Sequence, residues 1–200
     1  MTLIAVVYYS MYGHVAKMAE AIAAGIKQID GVEVQLYQAM ETIPPAVLQQ
    51  ANAPTKLDHP IVTPEVLGAS HGVLFGLPTR FGMVPSQMKT LFDSCGSLWV
   101  RGDLIGKTAG FFFSTASLGG GQETTAMSTV PFLAHLGMVF VPLGYRSQSL
   151  FSLDHPHGGS PWGAGTLAGT DNSREPSEME LEVAREQGRS FAEITKKLHP

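Results

Sequence analysis

The stretch Leu3-Ile4-Ala5-Val6-Val7-Tyr8-Tyr9-Ser10-Met11-Tyr12-Gly13-His14 decides the reading of this chain. Its first seven residues are continuously apolar, as in a parallel strand covered on both faces. Ser10 and Gly13 break the run, and from Val15 the apolar residues Val15, Met18, Ala19, Ile22 and Ile26 recur at helical spacing. A buried strand that ends in a Ser/Gly turn and opens a helix is a phosphate-binding arrangement. The first helical N–H groups have no partner inside the helix, and the helix dipole favours an anion. The Ser10 hydroxyl adds a hydrogen bond, and Gly13 lets the backbone come close. Alone, the same turn also reads as an ordinary strand-to-helix connection. It is neither GxxxxGK[ST] nor GxGxxG, which argues against a nucleoside triphosphate and against a dinucleotide bound in the Rossmann manner.

Outward from this unit the pattern repeats. Gly31 ends the first helix, and Val32–Tyr37 alternates as a second strand. Prolines 44, 45, 54, 60 and 64 divide residues 38–70 into loops and short helices, near 45–51 and 64–68. His71–Leu77 and Thr108–Phe113 read as buried strands three and four, and Met138–Pro142 as the fifth. Helices are expected at Ser86–Asp93, with Met88, Leu91 and Phe92 inward, and from Glu123 to Leu136. Trp99 is expected just after the helix that contains Cys95. Residues 144–176, rich in Gly and Pro, form a long excursion. A last amphipathic helix spans 177–198, with Met179, Val183, Phe191, Ile194 and Leu198 inward, and Ser177 with Glu180 as its capping box. Five β-loop-α units imply an α/β fold, a three-layer, doubly wound parallel sheet of five strands in the order 2-1-3-4-5. Such sheets bind ligands at the carboxyl ends of the strands, at the switch point. One domain spanning 1–200 accounts for the length.

Composition narrows the function. The 200 residues are 44% hydrophobic and only 15% charged, which suggests extensive buried surface, subunit contacts included. A net charge of −4 with no basic run gives no sign of a nucleic-acid or anionic-membrane binder. Cys95 is the only cysteine, so no disulfide framework is expected, in keeping with a reducing compartment. The apolar N-terminus is short and lacks a charged n-region, and it reads as a core strand, not a signal peptide. No stretch has the roughly 18 apolar residues of a membrane span.

Two further loops sit after strands three and four. Pro78-Thr79-Arg80-Phe81-Gly82 combines a Gly/Pro turn with one cation and one aromatic; the plain alternative is a structural turn with a surface Arg. Ser114-Thr115-Ala116-Ser117-Leu118-Gly119-Gly120-Gly121 offers hydroxyls and successive N–H groups, either a nest for ligand oxygens or a tight turn. His135, near the end of its helix, is either a dipole-stabilised group or a proton donor. Trp99 is core or ligand wall, and Tyr145 has a hydroxyl to offer a substrate oxygen. No histidine stands at metal-ligand spacing, and no metal is expected.

Several of these stretches in register resemble one family. Tyr8–His14, Pro78–Gly82, Gly119-Gly120-Gly121-Gln122-Glu123, Pro142–Tyr145, Gly158-Gly159-Ser160-Pro161-Trp162-Gly163-Ala164 and Ala168–Ser177 resemble the WrbA family of flavodoxin-like NAD(P)H:quinone oxidoreductases. The resemblance covers essentially the whole chain. It implies non-covalent FMN, a homotetramer, and two-electron reduction of quinones to hydroquinones by NADH or NADPH; the expected mechanism is a ping-pong hydride relay, and the expected location, in keeping with the single cysteine, is cytoplasmic. It implies that Ser10, Met11, Tyr12, Gly13, His14 and Val15 hold the phosphate. Pro78, Thr79, Arg80, Phe81 and Gly82 would face the ring, and Ser114 to Gly120 the ribityl chain and ring. His135 would approach from a neighbouring subunit and, with Tyr145, is a candidate proton donor. Tyr12 would contact the nicotinamide cofactor and Trp99 line the quinone pocket. Two rivals differ in class. A flavodoxin-type electron carrier would be more acidic and would show no NADH:benzoquinone turnover. A nucleic-acid-associated module would need basic surface.

Overall fold

Every strand of the sheet is parallel, and it places its loops as the pattern predicts. The computed structural model describes residues 1–200. β1 (Thr2–Tyr8) is followed by α1 (His14–Ile26), β2 (Val32–Gln38), α2 (Pro45–Gln50), α3 (Pro64–Ala69), β3 (Gly72–Pro78), α4 (Ser86–Asp93), α5 (Gly96–Arg101), β4 (Thr108–Thr115), α6 (Gln122–His135), β5 (Val139–Phe140), β6 (Gly165–Leu167) and α7 (Glu178–Leu198). A short 3₁₀ turn covers Gln148–Phe151. The sheet order is β2-β1-β3-β4-β5, with β6 also paired to β4. β1 lies between β2 and β3, with Ile4 opposite both Val34 and Gly72.

Alternation along β1 divides the core between the two faces. Ile4, Val6 and Tyr8 pack with α1 and α7, through Met18, Ile22, Ile26, Val183 and Phe191. Ala5, Val7 and Tyr9 pack on the opposite face with Met88, Leu91, Leu98 and Leu133 from α4, α5 and α6. This is the three-layer α/β/α arrangement. Both faces of β3 and β4 are covered, so every residue of these strands is buried. β2 is an edge strand, and its exposure alternates accordingly.

The structure corrects the expected elements at four places. β5 is shorter than 138–142, because Pro142 carries no N–H to continue the ladder. Its place beside the second half of β4 is taken by β6, from within the excursion, with Phe113 opposite Gly165 and Thr115 opposite Leu167. The 144–176 segment is therefore partly a sheet strand. The helix after β3 breaks at Ser94, so Trp99 lies inside the short α5, whereas a position after the helix was expected. Leu198, expected inward, is 51% exposed as the last residue of α7. The capping box of α7 is as expected. Ser177 Oγ accepts the Glu180 N–H, and the Glu180 carboxylate accepts the Ser177 N–H. No helix is long and apolar enough to cross a membrane.

Candidate active site

The turn after β1 is shaped by one hydroxyl and one glycine. Ser10 Oγ accepts the Gly13 N–H at 3.0 Å, and Gly13 caps α1 at φ 93°. The first intrahelical bond runs from Lys17 N–H to Gly13 O. The N–H groups of Met11, Tyr12, His14, Val15 and Ala16 are thus left without an acceptor in the chain. Five unpaired donors around one turn at the positive end of a helix form an anion site. A Cβ on Gly13 would meet nothing within 4 Å, so its backbone angle, not space, demands glycine.

The loop after β3 is held from two sides. Thr79 N–H donates to Ser114 O at 3.1 Å, and Gly82 N–H to Thr79 Oγ1 at 3.1 Å. Thr125 Oγ1, from the first turn of α6, donates to the same Thr79 oxygen at 2.8 Å. Arg80 and Met83 exchange backbone hydrogen bonds. Phe81, at the tip, takes φ 55° and is fully exposed. That conformation is uncommon for a bulky residue and clusters at ligand clamps. The Arg80 guanidinium bonds Thr79 O at 2.9 Å and reaches the Met11 sulfur at 3.9 Å, which joins the first two loops.

After β4, Ala116, Ser117, Leu118 and Gly119 also have N–H groups with no acceptor in the chain. Thr115 Oγ1 donates to Ser117 O, and Gly120 N–H to the same carbonyl. The excursion then closes one side of the site. Ala168 N–H bonds Thr115 O at 2.8 Å, and Gly169 N–H bonds Ala116 O at 3.0 Å. The result is a cleft of about 380 Å³ at the carboxyl end of the sheet. It gathers Ser10, Met11, Tyr12, His14 and Val15 from the first loop, Pro78, Thr79 and Arg80 from the second, and Ser114, Thr115 and Ala116 from the third. Ala168 and Asn172 complete the wall. Sequence reasoning missed these two. Their run was visible as a motif, but nothing in it said which surface it faces.

The other expected residues fall elsewhere. Gly13 borders an adjoining cavity. Ser117, Leu118, Gly119 and Gly120 line a neighbouring cleft, of about 340 Å³, shared with His157–Ser160. Phe81 and Gly82 stand outside the wall of either cleft. His135 is exposed at the far end of α6, about 20 Å from the turn where that helix begins. Trp99 is 62% exposed on α5. Tyr145 stacks on Phe151 with centroids 5.2 Å apart and does not border the cleft. No group of three His, Cys, Asp or Glu side chains is arranged to hold a metal ion.

Behind Met11, Tyr9 Oη donates to the Glu41 carboxylate at 3.2 Å, and Lys56 meets that carboxylate at 2.5 Å while lying 4.6 Å over the Tyr9 ring. Burial raises the Glu41 pKa, but hydrogen bonds from Lys56 and the Ile43 N–H, the Lys56 charge and Gln87 outweigh it and bring it down to about 2. Burial and Glu41 together push the Tyr9 hydroxyl well above its ordinary range, so it stays a neutral donor.

Against this geometry, comparison with known proteins is decisive. The model of the NADPH-dependent FMN reductase family matches residues 7–150. The chain belongs to that family. It is 48% identical over 198 residues to the quinone-oxidoreductase QR2 of Triphysaria versicolor, covering 98% of this chain and 97% of that one. It is 50% identical over 188 residues to the NAD(P)H quinone oxidoreductase PST2 of Candida albicans, covering 94% and 93%. In fold it is similar to a WrbA-like flavodoxin from Agrobacterium tumefaciens, with TM-score 0.69 at 24% identity over 98% of this chain and 99% of that one.

As a member of the FMN reductase family, the chain has a cleft whose residues fit a flavin phosphate. Ser10 and four of the five residues with unpaired N–H groups, Met11, Tyr12, His14 and Val15, line it together. His14, only 5% exposed, has a buried Nε2 with no partner in the protein beside them. No carboxylate lines the cleft to repel the anion.

Proposed function

We propose that the chain is an FMN-dependent NAD(P)H:quinone oxidoreductase. The observation that carries this reading is the set of unpaired N–H groups at the Ser10–Ala16 turn, opening into a cleft walled by the two loops after β3 and β4. FMN, when bound, supplies the two-electron carrier between a nicotinamide donor and a quinone, which makes ping-pong exchange the expected kinetic form. The chain supplies binding and orientation. Ser10 to Val15 hold the phosphate, with Gly13 setting the turn. Pro78, Thr79 and Arg80 of the cleft wall would lie along the ring, with Phe81 and Gly82 beyond the wall at the tip of the same loop, and Ser114, Thr115 and Ala116 would hold the ribityl chain, with the turn through Gly120 reaching ring oxygens from the neighbouring cleft. Arg80 favours negative charge on the ring by its own cation. Tyr12, at the mouth, meets the nicotinamide donor.

The same reading makes residues 1–200 one functional domain and the active unit a cytoplasmic homotetramer. Phe81, Trp99, Val100 and Ile105 are all at least 62% exposed, apolar surface that subunit contacts would cover. His135 lies too far along α6 to reach its own cleft, so its role, and that of Trp99 at the quinone, falls to a neighbouring copy. Tyr145, 60% exposed, is the second candidate proton donor. Steady-state oxidation of NADH and NADPH by the purified, FMN-loaded protein with benzoquinone tests the proposal. Turnover is expected, and its absence with both donors would favour an electron carrier.

Gly13→Ala isolates the phosphate turn. The new methyl has space, but φ 93° is a left-handed conformation that disfavours alanine by about 1–2 kcal/mol. The FMN dissociation constant is expected to rise about tenfold. Fluorescence titration of the apoprotein with FMN reads this directly. An unchanged constant would mean that the turn does not hold the phosphate.

A further inference from the structure

On the β2 side of the Ser10–Gly13 turn lies a second cavity, of about 270 Å³. Tyr8 and Gln38, at the ends of β1 and β2, form part of its lining, together with Ala16 of α1 and Leu57 of the loop that follows α2. Ser10, Met11 and Tyr12 border both this cavity and the cleft described above, so they form a ridge between the two.

Gln38 is 7% exposed, and all but one of its polar atoms are engaged. Its N–H donates to Pro60 O, and its carbonyl accepts the Val62 N–H. Its Nε2 donates to Leu57 O at 2.6 Å and His59 O at 2.9 Å. Two carbonyl partners fix which end of the amide is nitrogen. Oε1 is left with no partner in the protein. Gln38 lines the cavity and this oxygen keeps some exposure to solvent, so it is an acceptor free to take a hydrogen bond from a ligand donor. Tyr8, Met11, Tyr12, Ala16 and Leu57 form the apolar part of the lining, Glu20 and Thr55 belong to its polar part, and the Tyr8 hydroxyl is already bonded to His59 Nδ1 at 2.8 Å. Lys17 and Lys56 stand at the rim, paired with Glu175 and Glu41.

We propose that this cavity takes the adenosine half of the nicotinamide dinucleotide. The inference rests on the function proposed above. A dinucleotide whose nicotinamide enters the cleft must house its other base elsewhere. A cavity near the lower end of small-molecule sites suits half of it. The purine ring matches the apolar wall, and its exocyclic amine is the donor that Gln38 Oε1 lacks. The diphosphate then crosses the Met11–Tyr12 ridge within reach of Lys17. A quinone side chain would fit the apolar wall but has no donor for Gln38.

Two variants test the assignment on the FMN-loaded protein. Leu57→Trp fills the cavity from an exposed position, and Gln38→Leu removes the acceptor. Calorimetric titration with ADP-ribose should show binding to the wild type, weakened about tenfold or more in each variant. The ratio of KM for NADH to KM for dihydronicotinamide mononucleotide, which lacks the adenosine, should rise by a similar factor. Three results would overturn the assignment: no binding of ADP-ribose to the wild type, an unchanged KM ratio in Leu57→Trp, or a rise in the quinone KM in place of the NADH KM. If the wild type oxidises neither donor, the proposed function fails, while ADP-ribose binding still reports on the cavity.

Discussion

Glu180→Ala is expected to cost the fold about 3–5 kcal/mol, the loss seen when one partner of a buried, hydrogen-bonded charge is removed. Glu180 is 1% exposed. Its carboxylate accepts from Ser177 N–H at 2.8 Å, Gly158 N–H at 2.9 Å, Arg174 Nη1 at 3.0 Å, Thr166 Oγ1 at 3.0 Å and Leu167 N–H at 3.3 Å. Alanine leaves those donors, one of them charged, without their acceptor. The same bonds tie the excursion and β6 to α7, and so position Ala168 and Asn172 in the cleft wall. Less bound FMN is expected alongside the lost stability. Urea unfolding at neutral pH measures the first effect and the flavin-to-protein absorbance ratio the second; a change below about 1 kcal/mol would contradict the account.

The pH dependence of this group has a definite sign. Burial raises the Glu180 pKa, but the bonds from Arg174, Ser177 and Gly158 outweigh it, and the net shift is downward from 4.5. The unfolded chain therefore binds the proton more readily than the folded one. The contribution of Glu180 is complete above the ordinary carboxylate value and is lost as pH falls below it, through the folded pKa. His71 acts in the same direction. Its Nδ1 accepts the Leu3 N–H at 3.0 Å, and burial, then His199, Lys107 and the N-terminus, lower its pKa. Protonation on acidification removes that acceptor. The wild type should thus lose stability towards acid more steeply than Glu180→Gln, as read from urea midpoints on either side of pH 4.5.

Gly188→Ala, or Gly25→Ala, is expected to lower Tm by roughly 4–8 °C, a net loss of about 2 kcal/mol. α1 and α7 meet here backbone to backbone. A Cβ on Gly188 would lie 2.1 Å from Ile22 O, and one on Gly25 would lie 1.9 Å from Arg185 O. Both obstacles are main-chain atoms of the facing helix, so no rotamer change relieves the clash. Alanine gains about 1 kcal/mol of helix propensity at either site, and the overlap outweighs it. The two glycines serve one contact, so the double variant should lose less than the sum. Because α1 opens at the phosphate turn, parting the helices should also weaken FMN retention. A rise in Tm for either variant would show that the helices separate without cost.

The parts of the fold that repeat a local pattern were legible before the structure. The apolar run of β1, the spacing of Val15 to Ile26 and the capping box at Ser177 each carry their signal within a few residues. β6 carries none. Gly165-Thr166-Leu167 becomes a strand because Pro142 turns the chain away from the sheet and leaves the end of β4 an open partner. α5 is six residues long, too short for periodicity to separate it from α4. In the site, the three loops were legible because each couples special residues to a strand end. The Ala168–Asn172 wall was not, since its position depends on the Glu180 and Gln122 side chains from two other helices. His135 stood out by residue type, yet the direction of α6 carries it away from the cleft of its own chain.

The visible spectrum of the purified, FMN-reconstituted protein under anaerobic conditions tests the central claim most directly. The account predicts flavin bands that bleach on addition of NADH or NADPH and return when benzoquinone is added. A protein that takes up no FMN, or whose bands neither donor bleaches, would contradict it.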